Sequence, residues 1–323
     1  MTKLCSLASR VATSPGLPTA HANGFREKPC FRGHSSDGFI LVAVLWILGG
    51  LAVLATIYVI YVVNAATSLQ VNNDRIQTEA SISAATELTA YYLSAADVET
   101  RPTSGAFNFR VGGTAVAVGF RSEAARIDLN NAPKPLLAGL FTVLGAQPDA
   151  ANDYADRIVG WRTAATSEIE DQDKEATAYR NAGLNYKPRQ APFTSVQELW
   201  LVLGLPKDLI AHALPFVTVF SGADAVNVMD AAAEVVAALP GMTPDRLDAV
   251  LKQRSAEPPD APAVLKLLGP VQGATAKGSA ATRLAVRVGL ADGRQVAAEA
   301  VILLLENADA PYLVLSWNDD FDG

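Results

Sequence analysis

The sequence predicts an α+β protein in which one long N-terminal transmembrane helix precedes a head of strands with an inserted helical domain. Three observations support this class. Phe39 to Val63 form an uncharged apolar segment that is long enough to cross a bilayer as a helix. Hairpin patterns occur at both ends of the head. Between them lies a helical region with an internal repeat.

The segment before the apolar run, residues 1–38, is a basic leader. It contains five basic and two acidic residues, so the positive-inside rule keeps the N-terminus cytoplasmic and exports the rest. Subtracting these from the 26 basic and 33 acidic residues of the chain leaves 21 and 31, a net charge of −10 for the exported part. Both cysteines, Cys5 and Cys30, fall in the leader. The exported part must therefore be stabilised without a disulfide.

Helical character continues beyond the apolar segment. Residues 64–95 contain neither Pro nor Gly, and apolar side chains such as Ile76, Ile82 and Leu93 recur at roughly helical spacing. A single helix over residues 39–95 would be on the order of 80 Å long.

The junction between leader and apolar segment distinguishes three interpretations. A cleaved secretory signal has an apolar core about half as long and ends in a small-x-small site, which Asn64-Ala65-Ala66 matches poorly. A plain uncleaved anchor is the second interpretation. The third rests on Asp37-Gly38-Phe39, which resembles the prepilin peptidase site of type IV pilins and pseudopilins. That resemblance implies cleavage between Gly38 and Phe39 and methylation of Phe39.

The fifth residue counted from Phe39 is Ala43, where most pilins and pseudopilins carry Glu. A carboxylate in hydrocarbon is costly and persists only with a partner. In the family this Glu is thought to neutralise the N-terminus of a neighbouring subunit. In lacking this Glu, the chain resembles general secretion pathway protein K (GspK). The resemblance implies a subunit with no upstream neighbour.

The head is predicted to have two hairpins and a last strand. Residues 106–111 and 114–121 flank Gly112-Gly113, residues 282–289 and 295–306 flank Asp292-Gly293, and residues 312–317 form the last strand. The predicted division is leader 1–38, helix 39–95, first pilin-like strands 96–126, inserted helical domain 127–220, and 221–323 for a hairpin repeat with the C-terminal strands.

A helix-hairpin-helix rhythm repeats within the helical region. The three copies end a short helix near Gly145, Gly204 and Gly241, where the chain can reverse. Such hairpins grip phosphates in DNA-binding proteins, but the net charge of −10 opposes this use. Thr243 also stands where a DNA-binding hairpin usually has a second glycine. We expect packing units and no nucleic-acid partner.

An ordered set of motifs resembles the GspK family. It comprises Ile158-Val159-Gly160-Trp161, an acidic region ending at Glu175 and Tyr179, the segment from Tyr186 to Phe193, and Val196-Gln197-Glu198-Leu199. The resemblance extends from Gly38 to about Gly241 and includes the terminal strands. It implies a minor pseudopilin at the tip of a type II secretion pseudopilus that initiates assembly and supports export of folded proteins across the outer membrane.

The resemblance also implies partners and location. The partners would be minor pseudopilins of the I and J types, prepilin peptidase, the inner-membrane secretion platform, membrane lipid, and the secretin or secreted cargo. The chain would cross the bacterial inner membrane once, with its head in the periplasm. Two alternatives remain: a membrane-anchored helix-hairpin-helix protein of DNA uptake, and a minor tip subunit of a type IV pilus.

Calcium is the one candidate cofactor. Family members are associated with calcium, but this chain has Arg162, Thr163 and Ala165 where the family often has aspartates. Asp171, Asp173 and Glu175 offer other oxygen ligands. A solvated acidic loop is the simpler interpretation of these three residues.

An enzyme is not expected. His212 is the only histidine after the leader, and no cysteine follows the leader. The usual nucleophile–histidine and zinc sites therefore lack their residues.

Overall fold

The computed structural model describes residues 37–164, 176–290, 292–306 and 308–318. The chain divides into two units, one up to Thr67 and one from Ser68 onward. The helices are α1 Asp37–Ser94, α2 Lys134–Val143, α3 Pro148–Arg162, α4 Lys207–Ala213, α5 Ala233–Ala237, α6 Pro244–Arg254 and α7 Ala261–Leu268. Residues 176–181 are also helical. The 3-10 helices are Glu123–Ala125, Val196–Leu201 and Leu214–Phe216.

Nine strands complete the described elements. They are β1 Ser104–Val111, β2 Thr114–Ser122, β3 Ile127–Asp128, β4 Val217–Thr218, β5 Val226–Asn227, β6 Ala274–Thr275, β7 Ala281–Gly289, β8 Gln295–Leu304 and β9 Tyr312–Asn318.

The first unit contains the apolar part of α1. Residues Phe39–Ala65 form 27 residues of helix with the length and composition to cross a membrane, and none of its most apolar window is buried. Its large apolar side chains are exposed along this whole stretch. Because water would make such exposure costly, the chain has one candidate membrane span among its described helices.

The second unit begins with the remainder of α1, which packs on a five-stranded sheet. The strand order is β1-β2-β7-β8-β9, and every pair is antiparallel. Alternate residues of β2 are buried, as the period of two in a half-covered sheet requires. Val116, Val118 and Phe120 share one apolar core with Ile82 and Leu93 of α1. The predicted helix and sheet are thus packed against each other.

Both predicted hairpins form around their glycines. Val111 pairs with Thr114, and the two residues between them, Gly112 and Gly113, have φ of +55° and +94°. Only glycine enters this left-handed region without steric cost, so the Gly-Gly pair specifies the turn.

The helical part is inserted between β2 and β7, which are neighbours in the sheet. One hydrophobic cluster runs through this insertion from Ile127 to Leu268. The α+β class with an inserted helical domain is therefore confirmed. The boundary that the sequence suggests between residues 220 and 221 falls inside this cluster, and the division into domains stays a prediction.

Each of the three repeated hairpins reverses at its predicted glycine. The φ angles are +102° at Gly145, +83° at Gly204 and +70° at Gly241. The hairpins connect α2 to α3, the 3-10 helix Val196–Leu201 to α4, and α5 to α6.

One glycine inside a helix permits a close contact between helices that the sequence alone does not predict. A Cβ added at Gly139 of α2 would lie 2.0 Å from the carbonyl oxygen of Ala238, at the end of α5. The two helices can approach this closely only because Gly139 has no side chain.

Gly139→Ala should lower the free energy of unfolding by about 2 kcal/mol, since overpacking against a backbone atom outweighs the gain in helix propensity of about 1 kcal/mol. Urea unfolding of the full chain in detergent micelles, followed by tryptophan fluorescence, measures the change. Gly119→Ala is the control, because a Cβ at Gly119 meets nothing within 4 Å. A stabilised Gly139→Ala variant would contradict the close contact.

Candidate functional site

The helical part contains the same loop twice, once before α2 and once before α5. The buried Asp128 and Asn227 start the two loops. Asp128 Oδ1 accepts from the backbone N–H of Asn130 at 2.7 Å, and Asn227 Oδ1 accepts from that of Met229 at 3.0 Å. Both residues end a two-residue strand that pairs in parallel with a later strand, β3 with β4 and β5 with β6. Two structurally equivalent units therefore follow one another.

Each unit is closed by an arginine at the end of its second helix. Arg162 ends α3, Arg254 ends α6, and each guanidinium donates to two backbone carbonyls of its own loop. The acceptors are Leu129 and Ala132 in the first unit and Val228 and Ala231 in the second. Burial lowers the pKa of both arginines, while Asp128 and Asp230 respectively favour their charge.

The carbonyl-binding role of Arg162 explains why the sequence departs from the GspK pattern at this position. Arg162 stands where the resemblance leads one to expect acidic residues, and its guanidinium is occupied by two carbonyls. A cation at this point would meet a positive charge. The position therefore does not fit a calcium ion.

In the third hairpin, Thr243 stands where a DNA-binding turn usually has a second glycine, and here it caps a helix. Thr243 caps α6, and its hydroxyl accepts from the backbone N–H of Arg246. The use of these hairpins as packing units stays a prediction.

Four aromatic residues from the motifs that resemble GspK converge beside Glu198. Trp161 stacks on Phe193 with ring centroids 6.0 Å apart, and Tyr179 contacts both Trp161 and Tyr186. Their order is visible in the sequence, but their contact is not, because their spacing along the chain is irregular. The signal that could have revealed it is the run of aromatics separated by Gly and Pro.

The carboxylate of Glu198 connects this cluster to the loop before it. One oxygen accepts from Arg189 at 2.8 Å and from the backbone N–H of Thr194 at 3.0 Å, and the other accepts from the indole of Trp161 at 3.1 Å. Partial burial opposes ionisation of Glu198. Hydrogen bonds from Thr194 and Trp161 and the charge of Arg189 outweigh it and hold the pKa of Glu198 below its usual range.

A second charged network joins the sheet to the insertion. Glu123, only 1% exposed, directly follows β2. Arg283 of β7 donates to both of its oxygens, at 2.6 Å and 3.1 Å, and also contacts Glu299 of β8. Thr218 of β4 donates its hydroxyl to Glu123 as well. Burial opposes the charge of Arg283, but its two carboxylate partners outweigh this and raise its pKa.

The predicted processing residues lie at the start of α1. Gly38 and Phe39 are in its first turn, with Phe39 79% exposed, and Ala43 follows one turn later and is half-buried. Their roles in cleavage and assembly stay predictions.

The predicted calcium ligands Asp171, Asp173 and Glu175 lie outside the described residues. Within the described part of the chain, no group of three or more His, Cys, Asp or Glu side chains could hold a metal ion. The calcium assignment stays a prediction.

Glu198→Gln should lower the free energy of unfolding by about 1–3 kcal/mol at pH 7, because a neutral amide cannot satisfy all the donors that face the carboxylate. The pKa of Glu198 is lower in the folded state, so its stabilising contribution is complete above the unfolded pKa of about 4.3 and is lost as pH falls through the folded value.

Urea titrations between pH 7 and pH 3 should therefore show the difference between wild type and Glu198→Gln shrinking below about pH 4.5. Glu79→Gln is the control, since in the described part of the chain Glu79 forms only an exposed ion pair, with Arg75. A difference that is independent of pH would contradict the assignment.

Glu123→Gln should lower the free energy of unfolding by about 3 kcal/mol, because it removes one carboxylate from a buried guanidinium. The same urea titration measures it. The exposed pair of Asp292 and Arg294 supplies the control Asp292→Asn, for which no measurable change is expected. Equal stability of Glu123→Gln and wild type would show that the network is dispensable.

Comparisons with known proteins agree with the resemblance seen in the sequence. Residues 119–222 match the family model of type II secretion system (T2SS) protein K. This stretch includes Glu123, the first repeated unit and the aromatic cluster around Glu198. No curated protein matches the chain.

A solved structure shares the fold. A chain from the crystal structure of the GspK-GspI-GspJ complex of the enterotoxigenic Escherichia coli type 2 secretion system is similar with a TM-score of 0.54 and 15% identity. The match covers 80% of this chain and 100% of that chain. The family match over residues 119–222 agrees with the resemblance to the GspK family found in the sequence, and the similar solved chain shows the same fold over most of this chain.

Proposed function

We propose that this chain is a GspK-type minor pseudopilin that forms the tip of a type II secretion pseudopilus, where it initiates assembly and thereby supports export of folded proteins across the outer membrane. The observation that carries the proposal is the match of residues 119–222 to T2SS protein K. The alternatives of DNA uptake and of a type IV pilus have no comparable support.

Two features of the chain favour the tip. Ala43 places a methyl group where a subunit inside the filament would need a carboxylate for its neighbour, and a tip subunit has no such neighbour. The insertion between β2 and β7 also adds a second hydrophobic core to the sheet-and-helix unit. Its added volume would obstruct the addition of a further subunit.

The partners follow from the same proposal. The similar solved chain belongs to a complex that contains GspI and GspJ. We therefore propose I- and J-type minor pseudopilins as the partners of this chain. Prepilin peptidase, the inner-membrane platform, membrane lipid, and the secretin or cargo are the further proposed contacts. The proposed role is structural and not catalytic.

Location is part of the proposal. The basic leader favours a cytoplasmic N-terminus, so Phe39–Ala65 would cross the inner membrane once and the head would lie in the periplasm.

Co-expression with prepilin peptidase should yield a chain that begins with N-methylated Phe39, as measured by intact mass and N-terminal sequencing. Gly38→Val should block this cleavage, because the peptidase site requires the small residue before Phe39. Gly33→Val, which changes a glycine of the leader away from the junction, should leave cleavage intact.

The same variants test the function in cells. In a strain that lacks the gene, wild type and Gly33→Val should restore secretion, and Gly38→Val should not. A processed chain that still begins upstream of Phe39, or full secretion with Gly38→Val, would contradict the proposal.

A further inference from the structure

A cavity of about 620 Å³ opens between the sheet and the helical insertion. The sheet contributes side chains from its face opposite α1, since Arg283 and Glu299 alternate with residues of the core shared with α1. The insertion contributes apolar side chains, among them Pro215 and Phe216. The volume lies within the range of about 300–1,000 Å³ that is common for small-ligand sites.

Arg126 lines this cavity without an acceptor. Among the described residues, its side chain has no hydrogen bond and no ion pair, although it is half-buried. Glu123 and Glu299 are the carboxylates that interact electrostatically with Arg126, but both already form ion pairs with Arg283. A guanidinium that is partly withdrawn from water costs free energy when its donors have no acceptor.

The electrostatics agree with this geometry. Burial and the neighbouring charge of Arg283 lower the pKa of Arg126, and Glu123 and Glu299 oppose them only in part. The ionisable side chains that line the cavity are Arg121, Arg126, Arg283, Glu123 and Glu299. Three positive charges thus face two negative ones, which leaves one positive charge for a ligand to neutralise.

We propose that Arg126 is a binding residue for a single carboxylate on a peptide. A guanidinium binds a carboxylate through two parallel hydrogen bonds, and the planar fork of Arg126 is suited to this pairing. A dianionic phosphate would meet Glu123 and Glu299 in the same cavity and would be repelled.

The apolar wall of the cavity favours a peptide with an apolar residue beside the carboxylate. Pro215, Phe216 and Ala232 of the insertion line the cavity together with Arg126, and none of the three is fully buried. Such a ligand would bury apolar surface in the same step that neutralises the guanidinium. The site goes beyond the proposed tip role and does not depend on it, because all its residues lie in the head.

The test uses the full chain in detergent micelles, labelled with ¹⁵N, and follows the arginine Nε–Hε signals by NMR. N-acetyl-Phe-Glu-amide carries one side-chain carboxylate, and N-acetyl-Gln-Phe carries one terminal carboxylate. At least one of them should shift the Arg126 signal saturably. N-acetyl-Phe-Gln-amide, which is neutral, should not. The two acidic peptides distinguish a side-chain from a terminal carboxylate.

Variants assign the binding to Arg126. Arg126→Gln should weaken binding of the acidic peptide at least about tenfold, and Arg126→Lys should weaken it less, because lysine keeps the charge but loses the fork. Arg110→Gln is the matched control, since Arg110 lies on the exposed part of β1 and does not line this cavity. Its affinity should equal that of wild type.

Three outcomes would overturn the proposal. They are the absence of a saturable shift with either acidic peptide up to about 10 mM, equal binding of the neutral peptide, and tighter binding of phenyl phosphate than of both acidic peptides. These comparisons use wild type alone, so they decide the question even if Arg126→Gln does not fold.

Discussion

The buried pairing of Glu123 with Arg283 is the interaction on which the architecture of the head depends. The helical insertion leaves the sheet after Ser122 and returns before Thr282, and these two residues are partners across β2 and β7. Glu123 is the first residue on the way out, and Arg283 directly follows Thr282 on the way back. The hydroxyl of Thr218 adds a contact from inside the insertion. One carboxylate thus connects the departing chain, the returning chain and the inserted domain, which allows a large insertion without disturbing strand register.

Inside the insertion, the same arrangement of loop and arginine occurs twice and stabilises both units. Both units begin with a buried side chain that folds its own loop, and both end with an arginine that binds two carbonyls of that loop. These carbonyls face the protein interior, where an unpaired acceptor costs about 1–3 kcal/mol. The first unit also packs against the aromatic cluster around Glu198. The two units therefore share their backbone hydrogen bonding but differ in the side chains that pack against it.

Local chemistry made much of the fold predictable. Three kinds of feature were predictable because each depends on residues adjacent in sequence. Glycine pairs such as Gly112-Gly113 specify tight turns, and an uncharged apolar run specifies the membrane segment. Single glycines specify the chain reversals, at Gly145, Gly204 and Gly241. The order of motifs near Trp161 predicted the family whose model matches residues 119–222. The charged network was not predictable, since Glu123 and Arg283 are 160 residues apart and neither lies in a recognisable pattern. The close approach of Ala238 to Gly139 and the carbonyl-binding role of Arg162 depend likewise on tertiary packing. The structural basis of the candidate calcium site lies outside the described residues.

The insertion between neighbouring strands also sets the order in which the head can fold. The hairpin of β1 and β2 is complete early in synthesis, but its sheet partner β7 starts only at Ala281. Until then, the edge of β2 is an open template with unpaired backbone groups, the kind of edge through which chains aggregate. If the insertion folds first, it brings Ser122 and Thr282 together and shortens the effective loop that the sheet must close. Assembly of the sheet is therefore a late, non-local event, and such topologies fold slowly. A chain truncated before β7 would leave the edge of β2 unpaired and the buried Glu123 without Arg283.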